Sequence, residues 1–255
     1  MVRISSFVRN DLKFNFTGET LIAIITIFIM WAGYYIDNHG FFEGNLIWEV
    51  GIWGIGVIII MNVCFPAWWI VKIKGEGFAG MGITTKRLGL ALLLGILLGG
   101  WRFIELIPYL NDAGLVRVVI FNLLSIWEAC FLFGWLFTRF TKAFGKIAAV
   151  ILTAVGEGIY HIGTYPSDKI IYLVLCLCIC GICFATTDNI FTVWPIYWIS
   201  GCSASVMKGY GSEIITWELV VLMGAVLIIQ LLYLTILAIR MKKSKNKTSK
   251  MVMAV

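Results

Sequence analysis

Apolar residues run along this chain in eight long blocks, at about 19–36, 46–71, 88–110, 115–138, 146–164, 169–187, 189–206 and 214–239, parted by short polar connections. About 20 predominantly apolar residues cross a bilayer core as a helix. None of the blocks alternates with period two, and backbone groups in lipid must be paired within their own segment, so helices rather than barrel strands are predicted. The expected fold is an all-α polytopic membrane bundle of about eight transmembrane helices. The seventh block is short and contains Pro195, Ser200, Gly201, Cys202 and Ser203.

The polar remainder is too thin for a separate folded domain. Residues 1–18 mix polar and apolar positions without the apolar core and cleavage site of a signal peptide, and read as an amphipathic N-terminal arm. Residues 19–240 form the transmembrane domain, and 241–255 a basic cytoplasmic tail. The longest connection, 72–87, is rich in glycine, and no internal repeat is evident, which lowers the expectation of an inverted-repeat transporter.

Composition agrees: 60% of the 255 residues are apolar and 13% charged, about half the charged share of a typical soluble domain. Mean hydropathy is +0.94. The net charge of +6 is informative through its placement. Sixteen of the twenty Lys and Arg fall in the N-terminal arm, the 72–87 connection, the 139–146 connection and the segment from 240 onward. The positive-inside rule therefore predicts an integral membrane protein with both termini cytoplasmic. The lipid bilayer, not nucleic acid, is the expected counter-charge. Seven cysteines all lie within the blocks; Cys176, Cys180 and Cys183 share a helical face and read as small packing residues.

Ionisable residues at bilayer depth are costly unless paired, so each is a functional candidate. Glu49 and Glu218 lie close enough to the outer boundary to snorkel. Arg102 and Glu105, three apart, are expected to form a structural ion pair. Glu128, Glu157 and His161 differ. Glu128 lies eleven residues before Arg139, and Glu157 eleven after Lys146, which gives the two carboxylates matching depth on adjacent antiparallel helices. His161 is one turn beyond Glu157 on the same face. Two carboxylates and an imidazole in one place can hold a divalent metal or let a glutamate activate water. They can equally form a buried network that keeps three helices in register, or a proton relay in a transporter.

These residues carry a resemblance to the CAAX protease and bacteriocin-processing (CPBP, or Abi) intramembrane metalloproteases. That family has eight spans, with a Glu-Glu pair followed by Phe-Arg-Gly, then Phe-x-x-x-His, then a Trp/Pro stretch leading to His-x-x-x-Asn. Here the first motif is matched by Glu128-Ala-Cys-Phe-Leu-Phe-Gly134, with Ala129 for the second Glu and Phe133 for the Arg. The second is Glu157-Gly-Ile-Tyr-His161, with Glu for the usual Phe. The third is Asn189 to Ser203 with Trp194-Pro195, where Ile199 stands for the His and Ser203 for the Asn. Gly82-Ile-Thr-Thr-Lys-Arg-Leu resembles the family's entry to its third span, and the likeness covers about 75–205. It implies an intramembrane metalloendopeptidase: Glu128 and His161 would be catalytic, His161 with Glu128 would hold Zn2+, and Glu157 would be a replacement ligand. The substrate would be a peptide or membrane protein. The departures also fit a catalytically inactive relative that binds a peptide or membrane partner in immunity or complex assembly.

Overall fold

The protein is described by a computed structural model over residues 12–45, 47–112, 114–207 and 215–253, without the side chains of 101, 204–207 and 244–253. Most of the arm expected over 1–18, and Lys208, lie outside the described residues. Among the described residues the principal helices are, in chain order, α1 Gly18–Asn38, α2 Ile47–Ile73, α3 in two limbs Leu88–Gly100 and Trp101–Tyr109, α4 Leu115–Phe144, α5 Lys146–Tyr160, α6 Ser167–Thr187, α7 Trp194–Met207 and α8 Trp217–Met253. α8 runs on through the segment expected as a tail.

Helices appear in every expected block, and among the described residues five are long and apolar enough to cross a membrane, or six if the bent α3 is one span. α5 has 15 residues, which at the α-helical rise is about 22 Å, short of the hydrocarbon thickness. α5 carries the second motif and α7 the third.

The core is built around the second half of α4. Every residue from Cys130 to Phe137 is buried, in a π-helical stretch apolar on all sides, the pattern of a helix surrounded by protein. α6 is two-faced: Ile171, Leu175, Ile179 and Ile182 are exposed, toward lipid, while Leu177, Cys180 and Phe184 are buried. α7 reaches the bundle because α3 offers glycine there. A Cβ on Gly95 would sit 2.6 Å from the Thr192 carbonyl, and one on Gly99 2.8 Å from Ile199 Cδ1. Small residues at such crossings let helices approach without lipid between them.

The end of the bundle with the basic connections is tied by charge. The Arg139 guanidinium, fully buried, donates to Glu19 on α1 at 2.9 Å and to both Glu76 oxygens at 2.9 and 3.3 Å. Lys74 pairs with Glu19, and Lys142 with Glu76. The α6–α7 connection has no basic residue of its own but receives them from its neighbours. Lys146 donates to the Ala185 carbonyl at 2.8 Å and lies 3.2 Å from Asp188, and Arg87 donates to the Thr186 carbonyl. Cations at a helix C-terminus satisfy its last carbonyls and its dipole. Asn189 Nδ2 adds bonds to the Thr84 and Lys86 carbonyls at 2.9 and 2.8 Å.

Candidate functional site

Glu128 owes its position to a break in α4. Asn122 donates to the Val118 carbonyl and the Ser125 hydroxyl to the Phe121 carbonyl, both at 2.9 Å. Such side chains compete for helix carbonyls, and at Ser125 the backbone leaves helical geometry with ψ 53°. The helix restarts at Trp127, and Glu128 sits in its first turn, where the N-terminal end of the dipole favours a carboxylate. The Tyr160 hydroxyl donates to Glu128 Oε1.

α5 contributes the other two groups at its far end. Glu157 lies in the last turn, 2% exposed, and His161, 4% exposed, is the residue that terminates the helix. Immediately beyond, Gly163 adopts φ +87°, and a side chain there would meet the Tyr35 ring at 2.6 Å. The imidazole is held by three tyrosines: Tyr165 stacked at 4.3 Å, Tyr160 tilted at 4.3 Å and Tyr34 edge-on at 4.9 Å between ring centres. His161 Nε2 and Glu157 Oε1 are 3.6 Å apart, too far for a direct hydrogen bond. Glu157 Oε2 is buried without a hydrogen-bond partner among the described residues.

Glu128, Glu157 and His161 each offer a ligand atom within 4.8 Å of the others. Two carboxylates and an imidazole are a donor set for a divalent cation such as Zn2+, with an open position left for water. A buried carboxylate oxygen without a partner is costly, and beside the other two groups it fits a missing cation. The trio forms the floor of a cavity of about 840 Å³ whose rim is the 37–49 segment of the α1–α2 connection, with Thr164 and Tyr165 on one wall. The cavity therefore runs toward the end of the bundle opposite the Arg139 network.

Arg102 and Glu105 lie elsewhere. Their atoms approach to 2.7 Å in the second limb of α3, with Tyr172 at 3.5 Å from the guanidinium, and neither lines the cavity. The third motif faces away from the carboxylates. Ile199 is buried against Gly99, and the Ser203 hydroxyl donates to the Arg102 carbonyl at 3.2 Å, so both point at α3. The α7 residues lining the cavity are Tyr197, Ser200 and Gly201. On a third side, Trp194 and Trp198 donate their indole N–H groups to the Leu123 and Val119 carbonyls at 3.2 and 3.0 Å. These bonds clip α7 to the broken limb of α4.

Sequence reasoning missed the tyrosines. Four hydroxyls in or beside apolar blocks were the available signal, since a buried tyrosine usually finds a polar partner.

Residues 112–202 match the family described as Rce1-like, type II CAAX prenyl endopeptidase Rce1-like. No curated protein and no solved structure matches the chain. The matched stretch begins just before α4 and ends within α7, so it holds the whole Glu128–Glu157–His161 trio and both indole clips. Through this segment the chain is similar to the Rce1-like CAAX prenyl endopeptidases, in agreement with the CPBP resemblance of its motifs.

Proposed function

We propose that the chain is a divergent intramembrane metalloendopeptidase that hydrolyses a peptide bond at the floor of the cavity. The observation that carries this reading is the convergence of Glu128, Glu157 and His161 within 4.8 Å at the bottom of an open cavity. His161 and Glu157 would hold a divalent cation, whose chemistry there is to polarise a carbonyl oxygen and acidify a bound water. Glu128 is the general base: it takes a proton from the water as the water oxygen bonds to the peptide carbonyl carbon. It returns that proton to the amide nitrogen as the C–N bond breaks. The Tyr160 hydroxyl orients the Glu128 carboxylate, and the tyrosines around His161 fix the ring plane, so little reorganisation is needed at the moment of reaction.

A second reading is favoured by α7. The positions one turn apart that face the cavity are Tyr197 and Gly201, neither a metal ligand of the usual kind. The chain's other histidine, His39, stacks on Tyr35 at 4.0 Å at the end of α1 and is not in the lining. A site with a single imidazole fits a pseudoprotease that holds a peptide or a partner helix without cutting it.

Metal content of the purified full-length protein in detergent separates the two. About one zinc per chain, lost in His161→Ala and Glu157→Gln, supports the metalloendopeptidase. Cleavage abolished by Glu128→Gln with the metal retained supports its assignment as base. A folded wild type that takes up no divalent ion refutes the first reading and leaves the second.

A further inference from the structure

Among the described residues the charge lining of the cavity is one-sided. Asp37, Glu43 and Glu49 stand exposed at its rim, and Glu128 and Glu157 form its floor. Among the described lining residues there is no Lys or Arg. The rim carboxylates form no ion pair with any described residue, and Glu49 accepts only the Gly44 backbone N–H at 2.8 Å. At the floor, Glu157 Oε2 is buried and has no hydrogen-bond partner. Between rim and floor the walls are aromatic, with Phe42 and Trp48 near the opening and Tyr197 deeper, its hydroxyl also unpartnered.

A low-dielectric cleft lined by one sign of charge focuses potential and concentrates ligands of the opposite sign. Carboxylates beside aromatic faces are the surroundings that suit ammonium and guanidinium groups, which gain Coulomb attraction and cation–π contact together. The volume of about 840 Å³ exceeds what an ion needs and lies in the range of pockets that enclose a ligand of many atoms. The carboxylates are spread along the cavity from opening to floor, which matches an extended occupant rather than a compact one.

We propose that the cavity selects a peptide segment carrying basic side chains, with lysine or arginine held at the Asp37–Glu43–Glu49 rim while the neighbouring backbone reaches the floor. This names a substrate class for the site and rests on the peptide-binding reading shared by both functions above. Hydrolysis is not required for it. The rim residues are specificity-determining and stand outside the proposed catalytic trio.

The test is binding of three fluorescent eight-residue peptides, blocked at both ends and alike except for two Lys, two Ser or two Glu. The titrations use the full-length protein in neutral detergent. The dilysine peptide is expected to bind about tenfold or more tighter than the diserine peptide, since each exposed carboxylate contributes modestly, and the diglutamate peptide weaker still. The preference should shrink with added salt. It should collapse in Asp37→Asn/Glu43→Gln/Glu49→Gln, while diserine binding stays within about twofold as a control for folding. Glu128→Gln should keep the preference even where it abolishes cleavage. If the wild type ranks the peptides correctly but cuts none of them, the hydrolase reading fails and the charge selection stands. Equal binding of all three peptides, or a preference untouched in the triple variant, overturns the proposal. So does saturable Ca2+ or Mg2+ uptake by the rim with no ranking of the peptides, or displacement of all three alike by phosphocholine.

Discussion

Replacing Arg139 by leucine should be the most damaging single change at the basic end of the bundle. Its side chain is fully excluded from solvent and serves α1 and the α2–α3 connection through Glu19 and Glu76, whose side chains are 19% and 20% exposed. Leucine leaves two half-buried carboxylates facing each other across an apolar side chain. Breaking a buried ion pair from one side costs roughly 3–5 kcal/mol. Here Lys74 and Lys142 still reach the orphaned carboxylates, so the expected loss is at the low end, about 3 kcal/mol. Equilibrium unfolding in mixed micelles measures it. Adding Glu76→Gln to Arg139→Leu should restore part of the loss, because it removes one uncompensated charge. The pH response supplies an independent check. Burial pushes the Glu76 carboxyl up, and the bonds from Arg139 and Lys142 outweigh that push, leaving it below its ordinary value of 4.5. A carboxylate depressed on folding contributes stability that is full above its unfolded value and is lost as pH falls through the folded one. The wild type should therefore lose stability below about pH 4.5, and Arg139→Leu should lose less over the same range. A loss under about 1 kcal/mol, the scale of an exposed surface pair, would refute the buried-clamp reasoning.

Two further changes probe how the site is held. Gly82→Ala should destabilise by about 1–3 kcal/mol: the residue has φ +72°, and a methyl group there would lie 2.8 Å from the Phe184 ring and 3.2 Å from the Ile190 nitrogen. A melting temperature equal to wild type would contradict that geometry. Trp194→Phe together with Trp198→Phe removes the two indole bonds from α7 to the broken limb of α4, at a cost of about 1 kcal/mol each. Peptide binding should weaken with it, because α7 forms one cavity wall, and unchanged binding would show that the clips do not position that wall.

What the chain is in gross terms was legible without coordinates, because hydrophobic length and charge placement act locally. A run of apolar residues has one stable backbone solution in lipid. The blocks for α1, α2, α4, α6 and α8 read directly as spans for that reason, and the first two family motifs stood out around Glu128 and His161. An ionisable side chain at bilayer depth is too costly to sit there without a partner or a task. The same local reading overran at α5. Hydropathy counts apolar residues without knowing whether they face lipid or protein, so it carried the α5 block to 164 although the helix ends at Tyr160. Only the tertiary structure decided what surrounds that helix end. The break at Ser125 depends on side chains bonding carbonyls of their own helix, and the cavity on where α5 stops relative to the 37–49 segment. The direction of α7 was likewise beyond the sequence. Its Trp194, Ile199 and Ser203 were all visible, but whether they face the carboxylates or α3 was set by the glycines of α3 and the carbonyls of α4. Those partners lie some seventy to a hundred residues away along the chain, and contacts at such separation leave no periodic trace in the sequence.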